Sequence, residues 1–270
     1  MFFHMQESYK RKVIISGNVV EIYDYEKAVD KTCEQRKVGR GNSSFTTEET
    51  KRENRKKVAN RARNYVKRKA NANPQLNKFL TLTYKENMTD VNKARKDFDK
   101  FVKRVKTRYK DFSYIAVPEF QKRGALHFHL LCNLPFVNVH ELAQVWGYGY
   151  IKINRLDNVD NVGAYITKYM TKENIDERLI GRKCYSMSKG LNEPSIYTDE
   201  TDIENILAHL ETVKRINTYS YETEHYGEIR YTQIVCFGQI KKPRRHADIL
   251  QKLRSMLTPL PDNTPNPFLV

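Results

Sequence analysis

Two segments of this chain hold side chains whose types and spacing could do chemistry: Gly124-Ala-Leu-His127-Phe128-His129-Leu-Leu131 and, further along, Ala164-Tyr165-Ile-Thr-Lys168-Tyr169-Met-Thr-Lys172. Histidines at i and i+2 of an apolar run leave a strand on the same face, as a metal site requires. Tyrosines at i and i+4 of a helical pattern also share a face, and each is followed three residues later by a lysine. Imidazoles to hold a divalent cation and phenols to attack, in a strongly basic chain, point to metal-assisted cleavage of a DNA phosphodiester by a tyrosine hydroxyl.

The strand before the histidines is expected over 112–119, and a turn at Gln121-Lys122-Arg123-Gly124 separates it from a strand over 125–131. A hairpin centred near Arg123 sets Glu119 opposite His127 and Val117 opposite His129. Facing β-carbons on paired strands lie about 4.5–5.5 Å apart, so Glu119 can join both imidazoles around one ion. Gln121 shares its parity and is a weaker fourth donor. Nitrogen and oxygen ligands with open positions suit Mn²⁺ or Mg²⁺ acting on a phosphate oxygen, with zinc chemically possible. The plain alternative is two polar residues on an exposed strand face, since so short a pattern arises by chance; Glu119 and the downstream tyrosines weigh against it.

A helix is expected over 158–172, with Val159, Val162, Ile166 and Met170 as its buried stripe and Tyr165 and Tyr169 on the flank. A free phenol ionises near pH 10, so a tyrosine nucleophile needs help. Lys168 and Lys172 would favour phenolate and contact the phosphate. Attack would leave a 5′-phosphotyrosine and a free 3′-hydroxyl, so the strand could be rejoined without ATP. Tyrosine beside a core stripe is usually packing, and 17 tyrosines make such a pair unsurprising. The doubled Tyr-x-x-Lys spacing together with the H-x-H argues for more.

Three ordered motifs, Phe79-Leu-Thr-Leu-Thr-Tyr84, the H-x-H, and Tyr165-Ile-Thr-Lys-Tyr-Met-Thr-Lys172, resemble those of HUH-superfamily rolling-circle replication initiators. The likeness extends to phage and plasmid replication proteins, including two-tyrosine initiators of small single-stranded-DNA phages, and covers roughly residues 78–190. It implies an origin-nicking and rejoining endonuclease using Mg²⁺ or Mn²⁺, with His127 and His129 as ligands, Glu119 as the third and Tyr165 as the leading nucleophile. Tyr169 would alternate with it or be a neighbour only. A relaxase or a single-strand transposase uses the same chemistry. A non-catalytic ferredoxin-like nucleic-acid-binding module, stacking bases on Phe79, Tyr84 and Phe128, is the rival from another class.

The elements that must position these groups follow from hydrophobic periodicity. A hairpin is expected over 12–25, a long basic helix from about 47 to 72, a strand over 79–84 and an amphipathic helix over 90–109. A short helix over 139–146 and a strand over 149–153 precede the tyrosine helix. A helix over 202–213, strands over 216–222 and 228–238, and a last helix near 247–257 follow. The fold class is α+β, a ferredoxin-like antiparallel sheet (the HUH endonuclease core) with helices on one face. The expected divisions are an N-terminal hairpin and basic helix over 1–76, the endonuclease core over 77–190, and a C-terminal β-rich appendage over 191–270.

Charge sets the partners. The 270 residues carry a net charge of +16. Ten lysines and arginines fall between 51 and 69 against Glu53 alone. Cations at this density neutralise phosphates and release counterions, so Arg52, Arg55, Lys56 and Arg63 on the basic helix, with Lys122 and Arg123 at the hairpin tip, are expected phosphate contacts. Thr81 and Thr83 could line a single-strand groove or reflect only β-propensity. The expected partners are single-stranded origin DNA, as a hairpin or its flank, and a host helicase and polymerase. No nucleotide-triphosphate loop, membrane span, signal peptide or paired-cysteine motif is present in the sequence, so the protein is expected in the cytoplasm.

Overall fold

The computed structural model describes residues 8–31, 47–121, 124–157, 159–170, 183–210, 213–238 and 240. Its strands fall into two antiparallel sheets of five strands each among these residues. The central sheet contains β3 (Lys78–Tyr84), β4 (Tyr114–Phe120), β5 (Leu126–Cys132), β6 (Gly149–Arg155) and the short β7 (Ser186–Met187), in the order β6-β3-β5-β4-β7. Period-two alternation sends Leu80, Leu82, Tyr84, Phe128 and Leu130 to one face. There they pack on Phe98 and Phe101 of α2 (Val91–Arg108) and on Leu142 and Trp146 of α3 (Val139–Trp146). Asp90 starts α2 by accepting the amides of Asn92 and Lys93, and apolar residues at helical spacing bury its inner side. This is the expected α+β, ferredoxin-like core.

The opposite face is covered too, at one end. All seven residues of β5 are buried, as in a strand packed on both sides. Phe79, Ile115, Val117 and Leu131 project against Val66 and Ala70 of α1 (Glu48–Asn71) and against Ile166 and Met170. Helices therefore lie on both faces rather than one, because this second set of apolar side chains also needs cover. Ile166 belongs to α4 (Val162–Thr167), which tightens into a 3₁₀ turn at Lys168–Met170. The expected helix over 158–172 is thus shorter at its start, where Asn161 caps the first turn by accepting the Ala164 amide at 2.8 Å.

The second sheet joins the two ends of the chain. It runs β8 (Ser195–Tyr197), β1 (Ser8–Ser16), β2 (Val19–Asp30), β10 (Gly227–Cys236), β9 (Val213–Thr223). One face buries Val13, Val20, Ile22 and Ile234 against Ile203 and Ile206 of α5 (Glu200–Ala208). The helix expected to reach 213 stops at Ala208, and Val213 opens β9. The sequence divisions at 76 and 190 cut across this sheet, for β2 pairs with β10 from Val19↔Val235 to Tyr25↔Ile229. Physically the cause is the unpaired backbone of β2, which needs a partner on its second edge. The last expected helix, near 247–257, lies outside the described residues.

α1 ties the two sheets together. Arg68 donates to Glu21 of β2 at 2.6 Å, and Lys67 lies 3.7 Å from the same carboxylate. Lys69 reaches the Leu191 carbonyl at 2.8 Å and pairs with Glu193. Burial alone would raise the Glu21 carboxyl, but the hydrogen bond and charge of Arg68, with Lys67 and the Tyr231 hydroxyl, hold it below the ordinary range. No helix among the described residues is long and apolar enough to cross a membrane.

Candidate active site

The hairpin register is the one the sequence implies: Glu119 pairs with His127 and Val117 with His129. On the other side of β5, Thr83 faces His127 and Thr81 faces His129. Both histidines are deeply placed, 5% and 6% exposed. His129 is held at both nitrogens, Nε2 against Glu119 Oε2 at 2.7 Å and Nδ1 against the Thr81 hydroxyl at 3.2 Å. Thr81, half-buried, therefore orients an imidazole.

These donors have the composition a divalent cation takes from a protein, two imidazoles and a carboxylate on adjoining strands. In this arrangement Glu119 is turned onto His129, and the two imidazole centroids lie 6.3 Å apart. Among the described residues no group of three His, Cys, Asp or Glu side chains closes into a metal cage. The residues fit such an ion by type and register, and the hydrogen bond between Glu119 and His129 would have to open to admit it.

α4 and the 3₁₀ turn after it bring both tyrosines onto this strand. The Tyr169 ring stacks on His129 with centroids 3.7 Å apart and planes 19° from parallel. Phe79 anchors the group, stacked on Tyr169 at 5.6 Å and meeting Tyr165 edge-on at 4.9 Å. Lys168 Nζ lies 5.0 Å from the Tyr165 ring centroid, close enough for a cation–π contact. Burial pushes the Tyr169 phenol above its ordinary value, and Tyr165, the charge of Glu119 and a hydrogen bond shared with Tyr165 push the same way. Lys172, Lys122 and Arg123 lie outside the described residues.

Sequence reasoning missed what places α4. Asn71, at the end of α1, accepts the Gly163 amide at 2.7 Å and donates to Asn161 at 3.0 Å. A Cβ on Gly163 would stand 2.0 Å from the Lys67 carbonyl oxygen, so only glycine lets the helices cross this closely. The Asn71-Ala-Asn73-Pro74 run reads locally as a helix stop, and nothing in it announces a contact 90 residues away.

The basic helix has two parts. Arg52, Arg55, Lys56 and Arg63 are exposed, as residues that bind phosphate must be. Lys67, Arg68 and Lys69 serve the internal ties described above. Phe79, Tyr84 and Phe128, the stacking rings of the non-catalytic alternative, are only 4%, 3% and 4% exposed, and their faces are used in packing. Thr83 is half-buried beside His127.

No curated protein and no solved structure matches the chain. Residues 77–174, the stretch that carries the histidine strand and the tyrosine helix, match the family model of replication-associated proteins of the ORF2 type, in keeping with a rolling-circle replication initiator.

Proposed function

We propose that the protein nicks and rejoins one DNA strand at a replication origin through a 5′-phosphotyrosine, so initiating rolling-circle replication. The observation that carries this reading is the convergence of Tyr165, Tyr169 and His129 on Phe79, beside Glu119 and His127. The family match over the same residues supports the replication role.

A Mg²⁺ or Mn²⁺ ion held by His127, His129 and Glu119 would supply Lewis-acid withdrawal of charge from the scissile phosphate. The chain's own residues do the rest. Tyr165 Oη gives up its proton to water and attacks phosphorus, the bond from phosphorus to the 3′-oxygen breaks, and that oxygen leaves and takes up a proton from water. Lys168 sets a positive charge beside Tyr165, which draws in the phosphate. Tyr169, stacked on His129 beside the first nucleophile, serves as the second after the first bond is made. Thr81 fixes the orientation of His129 through Nδ1. The partners on this reading are single-stranded origin DNA, a host helicase to separate the strands and a polymerase to extend the 3′-hydroxyl, in the cytoplasm.

The test is incubation with labelled single-stranded DNA of the protein's own replicon, with Mn²⁺ or EDTA, followed by a denaturing gel. A metal-dependent protein–DNA adduct is expected, lost in Tyr165→Phe and retained for first cleavage in Tyr169→Phe. Adduct retained in Tyr165→Phe would move the nucleophile elsewhere. No adduct on any replicon fragment would overturn the reading.

A further inference from the structure

The sheet that joins the chain ends packs one face on α5 and turns a different chemistry outward on the other. Across four strands the register sets Lys12, Tyr23, Tyr231 and Tyr219 in one line. The next line is Tyr25, Ile229 and Tyr221. Rings touch along these lines, Tyr23 to Tyr231 at 5.0 Å, Tyr231 to Tyr219 at 5.0 Å and Tyr219 to Tyr221 at 6.1 Å. From these juxtaposed rings and cations we infer that this face binds single-stranded DNA, stacking bases on Tyr219 and Tyr221, apart from the candidate active site.

Exposure separates packing from platform. Tyr231, inside the sheet, is 6% exposed and needs no ligand to explain it. Tyr219 and Tyr221 on β9 are 57% and 40% exposed. Cross-strand pairing accounts for one side of each ring and leaves the other in water. Two adjacent, half-open phenols at i and i+2 are spaced to accept unpaired bases, whose flat faces stack whatever their identity.

Charge selects the same occupant. Lys12 Nζ lies 5.6 Å from the ring centroids of both Tyr23 and Tyr25. Arg215, exposed, lies two rungs beyond Tyr219 on the same face of β9. The one carboxylate in these registers, Glu21, is buried and paired with Arg68 and Lys67. The other face carries Asp24 with Arg11 and Arg230 against it, so acid is kept away from the tyrosines. Moreover Arg68 donates to the Tyr23 hydroxyl at 2.6 Å, which fixes α1 on this face and starts its exposed cations little more than a turn away, at Arg63. Aromatic faces continuous with a track of cations suit a polyanion with unstacked bases, and suit a duplex poorly because its bases already stack on one another.

The inference does not depend on cleavage, and the experiment keeps the two apart. Fluorescence anisotropy with the full chain and a labelled mixed-sequence oligonucleotide in EDTA measures binding whether or not an adduct can form. Tyr219→Ala with Tyr221→Ala is expected to weaken single-strand binding about tenfold or more, while Tyr219→Trp with Tyr221→Trp preserves it. Arg215→Glu, an exposed change that leaves both rings, is expected to weaken binding and flatten its salt dependence. Unchanged affinity in the alanine pair with an unchanged melting temperature would overturn the inference. So would a tryptophan pair as weak as the alanine pair, or an equal loss of duplex binding.

Discussion

Asn71 Oδ1 accepts the backbone N–H of Gly163 at 2.7 Å, which makes the last residue of the basic helix a cap for the helix that carries Tyr165 and leads into the turn of Tyr169. The same side chain donates to Asn161, whose oxygen caps the next amide, so a buried chain of bonds spans the junction. Gly163→Ala is expected to cost about 1–3 kcal/mol, because its methyl group would meet the Lys67 carbonyl. Asn71→Ala should cost a similar amount through unsatisfied buried groups. Urea denaturation measures both; a Gly163→Ala midpoint equal to wild type would show that the crossing is looser than described.

If His127, His129 and Glu119 hold an ion as proposed, its affinity should depend on a residue that touches no metal. Thr81→Val keeps the volume of the side chain and removes the hydroxyl at His129 Nδ1. A loss of about tenfold in Mn²⁺ affinity is expected, as for other partners that orient a ligating imidazole. Loss of His127 or His129 as alanine should be more severe. Titration of free Mn²⁺ by electron paramagnetic resonance reads all of these, and equal binding in Thr81→Val and wild type would deny the threonine that part.

Salt dependence should divide α1. Changing Arg52, Arg55, Lys56 and Arg63 to alanine removes exposed cations and should lower the slope of log Kd against log salt for single strands by up to about 0.7 for each phosphate no longer neutralised. Stability should hardly change. Arg68→Ala should do the reverse, costing about 1–3 kcal/mol by leaving the buried Glu21 carboxylate with only Lys67 and the Tyr231 hydroxyl. A full salt slope in the fourfold variant would remove the basic helix from the nucleic acid interface.

Alkaline pH should unfold the protein early. Burial raises the phenols of Tyr23 and Tyr231, with Glu21 adding to both, and burial with Asp97 raises Tyr84. The folded chain holds these protons more tightly than the unfolded chain does. Their stabilisation is therefore complete below the ordinary tyrosine value of about 10 and is lost as pH rises towards the higher folded values. Melting temperature should fall steeply from about pH 10 upward, with tyrosinate absorbance rising in step with unfolding. Tyrosinate forming fully in the folded state would contradict the burial of these rings.

The residues of the candidate site were legible because they follow local rules. Period two fixed the parity of His127, His129 and Glu119, and a short turn fixed their register, so the pairing of Glu119 with His127 follows from the order of residues alone. The order of strands and helices along the core was legible from the same periodicities, and it implied the ferredoxin-like class. Long-range relations were not. That β2 would pair with β10 depends on edges left open by distant segments, and neither strand's own pattern names its partner. Lys67, Arg68 and Lys69 look like their neighbours in a run of cations, and only the fold distinguishes the three that tie sheets from those that face solvent.

The sheet built from both ends of the chain sets an order of events in folding. Tyr231 bonds to Glu21 across 210 residues of sequence. The first hairpin is therefore made with both edges bare, β1 awaiting β8 and β2 awaiting β10, and with a carboxylate uncovered, while the central sheet is still to be made. Pairings this distant close slowly, since the loop must be ordered before the pairing rewards it. The core can form first, and Arg68 can quench Glu21 in the interval. Docking of Gly227–Cys236 is then expected as the late step, so the tyrosine face is completed after the central sheet.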